Sequence, residues 1–203
     1  MRPMKMLALV VVALTLGVGV GTASATELYK WKNGVERETL AQGTQISVSL
    51  TGLVTFVNTD GNIFLNTCSG GSFAGATTTT GNATTTVLWS LSSFTLTGCI
   101  EPTSTTVKGE IEIHHIAGTT NGTLTMKNTT IKIKSSIYAE EICPYTAGTG
   151  ADMGIMVNGG TSVGHADGTM SVVLTSENPA CPQTVMSAKY KVTSPTGLVV
   201  EPG

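Results

Sequence analysis

Apolar and polar residues alternate with a period of two along most of this 203-residue chain. That period places successive side chains on opposite faces of an extended backbone, so each alternating run predicts a half-buried β-strand. The pattern predicts strands over residues 46–50, 53–57, 63–65, 84–97, 110–116, 131–135, 153–157, 169–174, 186–192 and 198–200. After residue 25, no run has the spacing of an amphipathic helix.

Turn sequences separate these runs. Asp60-Gly61 and Asn121-Gly122 each stand between two apolar runs, and because these residue types accept a positive φ they predict β-hairpins. The segment 70–86 has the weakest pattern, and within it residues 77–82 are expected to be a loop or a threonine-rich edge strand. Strands that recur roughly every ten residues are typical of sandwiches and barrels. We predict an all-β fold, a single-domain antiparallel β-sandwich over residues 26–203, with a β-barrel-like sheet as the alternative.

The alternation also predicts which side chains face the core. The side chains expected to point inward are Ile111, Ile113, Ile131, Ile133, Met186 and Tyr190. Those expected to point outward are Glu110, Glu112, Lys132 and Lys134.

The first 25 residues have the three parts of a signal peptide. A basic start with Arg2 and Lys5 precedes an apolar run over 7–21, and Ala-Ser-Ala at 23–25 supplies the small residues that signal peptidase recognises. An uncleaved membrane anchor is the alternative, but this run has about 15 residues whereas a spanning helix needs roughly 20. We predict cleavage after residue 25 and an exported chain that begins at Thr26 and has no membrane span.

The four cysteines are Cys68, Cys99, Cys143 and Cys181. Export would place them in an oxidising compartment, and an even number favours two disulfides. Their wide, unequal spacing does not fit a zinc site built from close cysteine pairs. Four cysteines allow three connectivities. Our expectation is Cys68–Cys99 and Cys143–Cys181, because each pair closes a loop of about 30–40 residues between strands expected to be neighbours.

Charge and composition narrow the classes of partner. Residues 26–203 carry nine Lys or Arg and thirteen Asp or Glu, a net charge of −4 with histidine neutral. Nucleic acid requires a basic surface, so it is not an expected partner. Threonine is abundant, and its β-branched side chain suits a strand. A disordered threonine-rich stalk is the alternative, which the regular apolar alternation argues against.

Histidine and glutamate on one strand raise the hypothesis of a metal site. Glu110, Glu112 and His114 are spaced two apart and therefore share a strand face, whereas His115 points to the opposite face. His165 stands apart, with an aspartate two residues later. A solvated strand face is the simpler interpretation of the three residues, so we predict no metal site and no cofactor.

The chain shows no catalytic motif. Ser72 lies in Gly-Gly-Ser-Phe-Ala at 70–74, which lacks the second glycine of a nucleophile elbow. Paired carboxylates of a glycosidase meet only in the fold, so sequence spacing does not identify them. The acidic residues without distinguishing context are Glu101, Glu140, Glu141 and Asp152. We therefore assign no catalytic residue.

Aromatic residues offer a weaker hint of carbohydrate binding. Trp89 lies within an alternating apolar run and is expected in the core. Tyr29 and Trp31 alternate near the start of the exported chain, where they either cover the sheet or form a stacking face for a sugar.

Several short segments resemble a set of predicted exported bacterial proteins that are common in actinobacteria. The resemblance rests on the segments at 109–115, 118–125, 143–145, 148–150, 181–182 and 190–195. It covers the chain from about Gly43 to Val200. It implies export and a frame of four cysteines, and it implies no activity, ligand or catalytic residue.

These observations predict a secreted or cell-surface protein, with the periplasm as a further possible location. The expected role is non-catalytic, in adhesion, a matrix or another surface interaction, with a surface, polysaccharide or protein as partner. A secreted hydrolase and a binding protein for a small ligand or carbohydrate are the alternatives.

Overall fold

The computed structural model describes residues 26–32, 36–60, 63–82, 84–138, 141–147, 152–158 and 164–203. These residues form strands and no helix, which confirms the all-β prediction. The strands are β1 Thr26–Lys32, β2 Glu36–Thr39, β3 Gln45–Asn58, β4 Phe64–Thr77, β5 Val87–Cys99, β6 Thr103–His115, β7 Gly122–Tyr138, β8 Glu141–Ala147, β9 Asp152–Asn158, β10 Asp167–Leu174, β11 Thr184–Ser194 and β12 Leu198–Pro202. The predicted signal peptide, residues 1–25, lies outside the described residues.

Nine of the described strands form one antiparallel sheet in the order β6-β5-β4-β3-β11-β10-β9-β7-β8. The sheet curls until β6 also pairs with β7, from Thr103 opposite Ser135 to His115 opposite Gly122. β9 pairs with both β7 and β10, and these two pairings close the ring. β8 pairs with a different part of β7. The predicted antiparallel fold is confirmed in its barrel-like form, because the core lies inside one curled sheet.

A second, three-stranded sheet in the order β12-β1-β2 covers one end of the closed sheet, and we call it the cap sheet. Leu28 pairs with Val200 across its strands, and both side chains belong to the core. The His115 amide donates a hydrogen bond to the Thr26 hydroxyl, and the Val200 amide donates one to the Thr120 carbonyl. The cap sheet is therefore joined to the β6–β7 end by both packing and backbone hydrogen bonds.

The interior of the closed sheet is filled by side chains. Phe73 is central, with ring centroids 5.5 Å from Trp89, 6.5 Å from Phe94 and 6.1 Å from Tyr190. The cavity that remains between these rings and the cap sheet has a volume of about 20 Å³. Pockets for small ligands measure about 300–1,000 Å³, so this space is far too small for one.

The predicted register is confirmed for the inward residues whose side chains are described. Those with an exposed fraction of 3 % or less are Ile111, Ile113, Ile133, Met186 and Tyr190. The side chain of Ile131 lies outside the described part of the chain. On the outer face, Lys132 and Lys134 are exposed, and Glu110 and Glu112 are half-buried.

Residues 70–77 of the weakly patterned segment belong to β4, which is paired on both sides. Residues 78–82, where a loop or an edge strand is expected, lie in the connection between β4 and β5. Glycines interrupt the alternation of β4 because neighbouring atoms come close to the backbone. A Cβ at Gly75 would lie 1.9 Å from the Ser90 carbonyl oxygen, and one at Gly71 would lie 2.3 Å from the Thr95 carbonyl oxygen. Glycine is the residue that permits such a close approach.

Both expected disulfides are confirmed. Cys68–Cys99 joins β4 to β5, and Cys143–Cys181 joins β8 to the connection between β10 and β11. Two disulfides fit an oxidising environment such as the extracellular space. Over the described ranges, no helix has the length and apolar character needed to cross a membrane.

Candidate functional site

The outer face of β6 brings together the three residues that raised the metal hypothesis. Glu110, Glu112 and His114 share this face, and Ile111 and Ile113 between them are buried. The His114 Nε2 atom lies 3.8 Å from a Glu112 carboxylate oxygen and 2.9 Å from the Thr125 hydroxyl.

Threonine hydroxyls from the connection between β4 and β5 hold both carboxylates. The Thr78 hydroxyl donates to Glu110 Oε1 at 2.9 Å, and the Thr86 hydroxyl donates to Glu112 Oε1. The same connection is fixed to β5, because the Thr79 hydroxyl accepts a hydrogen bond from the Leu88 amide at 2.8 Å. These contacts explain why the glutamates are half-buried, and they give the glutamates a structural role as anchors of the threonine-rich segment.

The three histidines occupy separate positions. The His115 Nε2 atom lies 2.7 Å from the Thr119 carbonyl oxygen, and His165 Nδ1 lies 2.7 Å from the Val192 carbonyl oxygen. Within the described residues, no group of three or more His, Cys, Asp or Glu side chains is arranged to hold a metal ion.

The other residues considered for catalysis are also dispersed. Ser72 lies within β4, where its hydroxyl is 2.9 Å from that of Thr95, and not at the strand-to-helix turn of a nucleophile elbow. Glu101 lies in the turn between β5 and β6, where the Asn66 side-chain amide donates to the Glu101 carbonyl and accepts from the Glu101 amide. Glu140 and the side chains of Glu141 and Asp152 lie outside the described residues.

The aromatic residues divide between the core and the cap sheet. Trp89 is buried, as expected. Trp31 lies on the cap sheet opposite Arg37, whose guanidinium carbon is 4.7 Å from the centre of its ring. The same guanidinium forms an ion pair with Glu201 on β12. Arg37 therefore covers one face of the Trp31 ring.

Tyr29, on the same cap sheet, is engaged by an acidic neighbour. Its hydroxyl donates a hydrogen bond to the Glu27 carboxylate. This hydrogen bond, with a smaller contribution from desolvation, raises the pKa of Tyr29 above its usual value. A phenol held in this way is a structural contact of the cap sheet.

Two grooves lie on the outer surface of the closed sheet. The larger, of about 440 Å³, is lined in part by the paired residues Ile133 and Tyr145. The residues along its walls and rim are Lys132, Lys134, Pro144, Thr146, Thr175, Ser176 and Glu177. We call it the lysine groove. The second, of about 350 Å³, lies over β3, β10 and β11 and is lined by Lys189, Lys191 and Asp167 among others.

An outward apolar row crosses four adjacent strands near the end opposite the cap sheet. Phe64 pairs with Val57, Val57 with Val185, and Val185 with Val173. Phe64 is 70 % exposed and Val173 is 43 % exposed. The sequence pattern did not reveal this row, because its members come from four separate strands.

Comparison of the chain with models of protein families, with curated proteins and with solved structures finds no match. The resemblance to exported actinobacterial proteins therefore stays a prediction.

Proposed function

We propose that this chain is a secreted or cell-surface protein without catalytic activity, which acts in adhesion or in an extracellular matrix by binding a partner at its outer surface. The observation that carries the proposal is the described part of the interior, where the rings of Phe73, Trp89 and Tyr190 and the cap sheet leave a cavity of about 20 Å³. Pockets for small ligands typically measure about 300–1,000 Å³. Binding is therefore assigned to the outside of the closed sheet.

The placement of the polar groups supports this assignment. Glu110 and Glu112 hold threonine hydroxyls, and His115 and His165 contact backbone carbonyls. A hydrolase instead needs a nucleophile, a base and an orienting group in mutual contact, or a pair of facing carboxylates. The two disulfides are consistent with a protein that functions outside the cytoplasm, where disulfides persist.

Recovery of the chain from outside the cytoplasm tests export. N-terminal sequencing should begin at Thr26. A recovered chain that still carries residues 7–21 would contradict the proposal. Deleting the gene should alter attachment, aggregation or biofilm more than growth on any one substrate.

Assays on the purified exported chain test the absence of catalysis. We expect no turnover of glycosides, esters or peptides. His114→Ala and His165→Ala should leave attachment to cells or matrix close to wild type, because neither residue is assigned to binding. Turnover that a single His→Ala or Glu→Ala substitution abolishes would refute the proposal.

A further inference from the structure

Lys132 and Lys134 are exposed cations on the outer face of β7, on either side of the fully buried Ile133. Within the part of the chain that the structure describes, neither ammonium lies within 4.0 Å of a carboxylate oxygen. A strand advances about 3.4 Å per residue, so the two lysines present positive charges about 7 Å apart along the strand.

Hydroxyl-bearing residues stand beside the lysines on both neighbouring strands. Lys132 lies between Thr106 of β6 and Thr146 of β8, and Lys134 has Ser104 as its β6 neighbour. Threonine and serine hydroxyls both donate and accept hydrogen bonds. The surface therefore combines fixed positive charge with groups that can pair with the hydroxyls of a sugar.

The end of β10 turns this surface into a groove. Thr175 forms an antiparallel bridge with Thr146, through amide-to-carbonyl hydrogen bonds of 2.8 and 3.0 Å in the two directions. Residues 175–177 consequently stand beside β8 as one wall. The volume of about 440 Å³ lies within the range of about 300–1,000 Å³ typical of ligand sites, so the groove can accept a short part of a longer chain.

We propose that the lysine groove binds an anionic polysaccharide, one that carries carboxylate or sulfate groups. This inference rests on the proposed surface-binding function and names its partner. Charge complementarity selects an anion, and the hydroxyls beside the lysines select a sugar polymer. Single-stranded nucleic acid would need exposed aromatic side chains on which its bases stack. The aromatic residue that lines this groove, Tyr145, is 1 % exposed.

The chain offers a matched control for the two lysines. Lys189 and Lys191 have the same spacing and are exposed on β11, but Asp167 lies opposite Lys191. The variants are K132Q/K134Q and K189Q/K191Q in the purified exported chain. Both change only exposed side chains, so circular dichroism and the urea midpoint should match wild type for each.

Binding is measured at low ionic strength to polygalacturonate, dextran sulfate, neutral dextran and single-stranded DNA. We expect wild type to bind one or both anionic polysaccharides and not neutral dextran, with affinity that falls as salt is added. K132Q/K134Q should weaken that binding at least about tenfold, and K189Q/K191Q less than about threefold. Comparing binding to polygalacturonate, which carries carboxylates, with binding to dextran sulfate identifies which anionic group the groove accepts.

A third variant tests the sign of the local charge. Glu177 is the acidic residue of the groove, so Glu177→Gln should tighten binding to the same polymer by about twofold to fivefold. Equal losses in the two lysine variants, no effect of K132Q/K134Q, or tighter binding of DNA than of either polysaccharide would overturn the assignment. If wild type binds none of the polymers yet attaches to cells, this inference fails and the surface function stands. If the chain binds none of the polymers and does not attach to cells, both this inference and the proposed function are refuted.

Discussion

Replacing Trp89 with alanine should open the filled interior and convert it into a ligand cavity. Trp89 is 3 % exposed, lies 5.5 Å from the Phe73 ring, and borders the small space beneath the cap sheet. Because close-packed neighbours collapse only partly when a large side chain is removed, the void should remain.

The structure gives the size of the effect. Trp→Ala substitutions in cores cost about 3–5 kcal/mol of unfolding free energy. The Trp89 indole N–H has no hydrogen-bond partner among the described residues, and an unpaired buried donor costs about 1–3 kcal/mol. Trp89→Phe removes that donor while keeping most of the ring, so it should lie within about 1.5 kcal/mol of wild type.

Urea unfolding measures the stabilities, and thermal unfolding with and without benzene measures the cavity. An apolar void on the order of 150 Å³ binds benzene, and a ligand that binds the folded state raises the unfolding midpoint. Benzene should therefore stabilise W89A and leave wild type unchanged. Trp31→Ala is the control, because Trp31 lies on the cap sheet beneath Arg37 and its removal leaves the interior filled.

Two results would refute this reasoning. Stabilisation of the wild-type chain by benzene would mean that the interior already has room for a ligand, which would favour a carrier function. A Trp89→Ala cost below about 1 kcal/mol would mean that the core is not packed around this ring.

Four further predictions follow from burial, geometry and titration. Ile133→Asp should unfold the domain in urea titrations, whereas Lys132→Asp should shift unfolding by no more than about 0.5 kcal/mol; equal effects would contradict the register. Replacing both cysteines of either disulfide with alanine should cost up to about 4 kcal/mol in the loop-entropy model, measured without reductant against wild type. Gly75→Ala should destabilise far more than Gly70→Ala, because a Cβ at Gly70 has its nearest neighbour at 3.6 Å. Burial, and then the Asp167 carboxylate, raise the pKa of Tyr190 above its ordinary 10.0. Because the fold favours the neutral phenol, the unfolding free energy should not change through this group below about pH 10 and should fall above it. Tyr190→Phe should reduce that alkaline loss in urea midpoints measured across pH.

The closed sheet was largely predictable because its strands alternate strictly. The run at 186–192 lies within β11, and the run at 110–116 lies within β6 except for its last residue. The cap sheet was only partly predictable, because β1 has few apolar residues and is completed by β12, which lies far away in the sequence. β4 was obscured by glycines that the close approach of β5 requires.

The candidate surfaces were less predictable than the closed sheet, because each combines residues from separate segments of the chain. The outward direction of Lys132 and Lys134 followed from the period of two. Their hydroxyl neighbours come from β6, β8 and the end of β10, and no local pattern brings these segments together. The hydroxyls of Thr78 and Thr86 likewise reach the β6 glutamates only after the connection folds over β5.

The two ends of the closed sheet are stabilised by different means, and this difference bears on where the protein functions. At one end the cap sheet buries Leu28 and Val200 against the core, so that end depends on apolar packing. At the other end Cys68–Cys99 lies near the start of β4, and Cys143–Cys181 lies near the start of β8. There Phe64 and Val173 remain exposed. Covalent links thus hold the end where apolar burial is less complete, and such links persist in an oxidising environment. The same outer surface carries the lysine groove, so an oxidising exterior and a partner outside the cell are parts of one consistent interpretation.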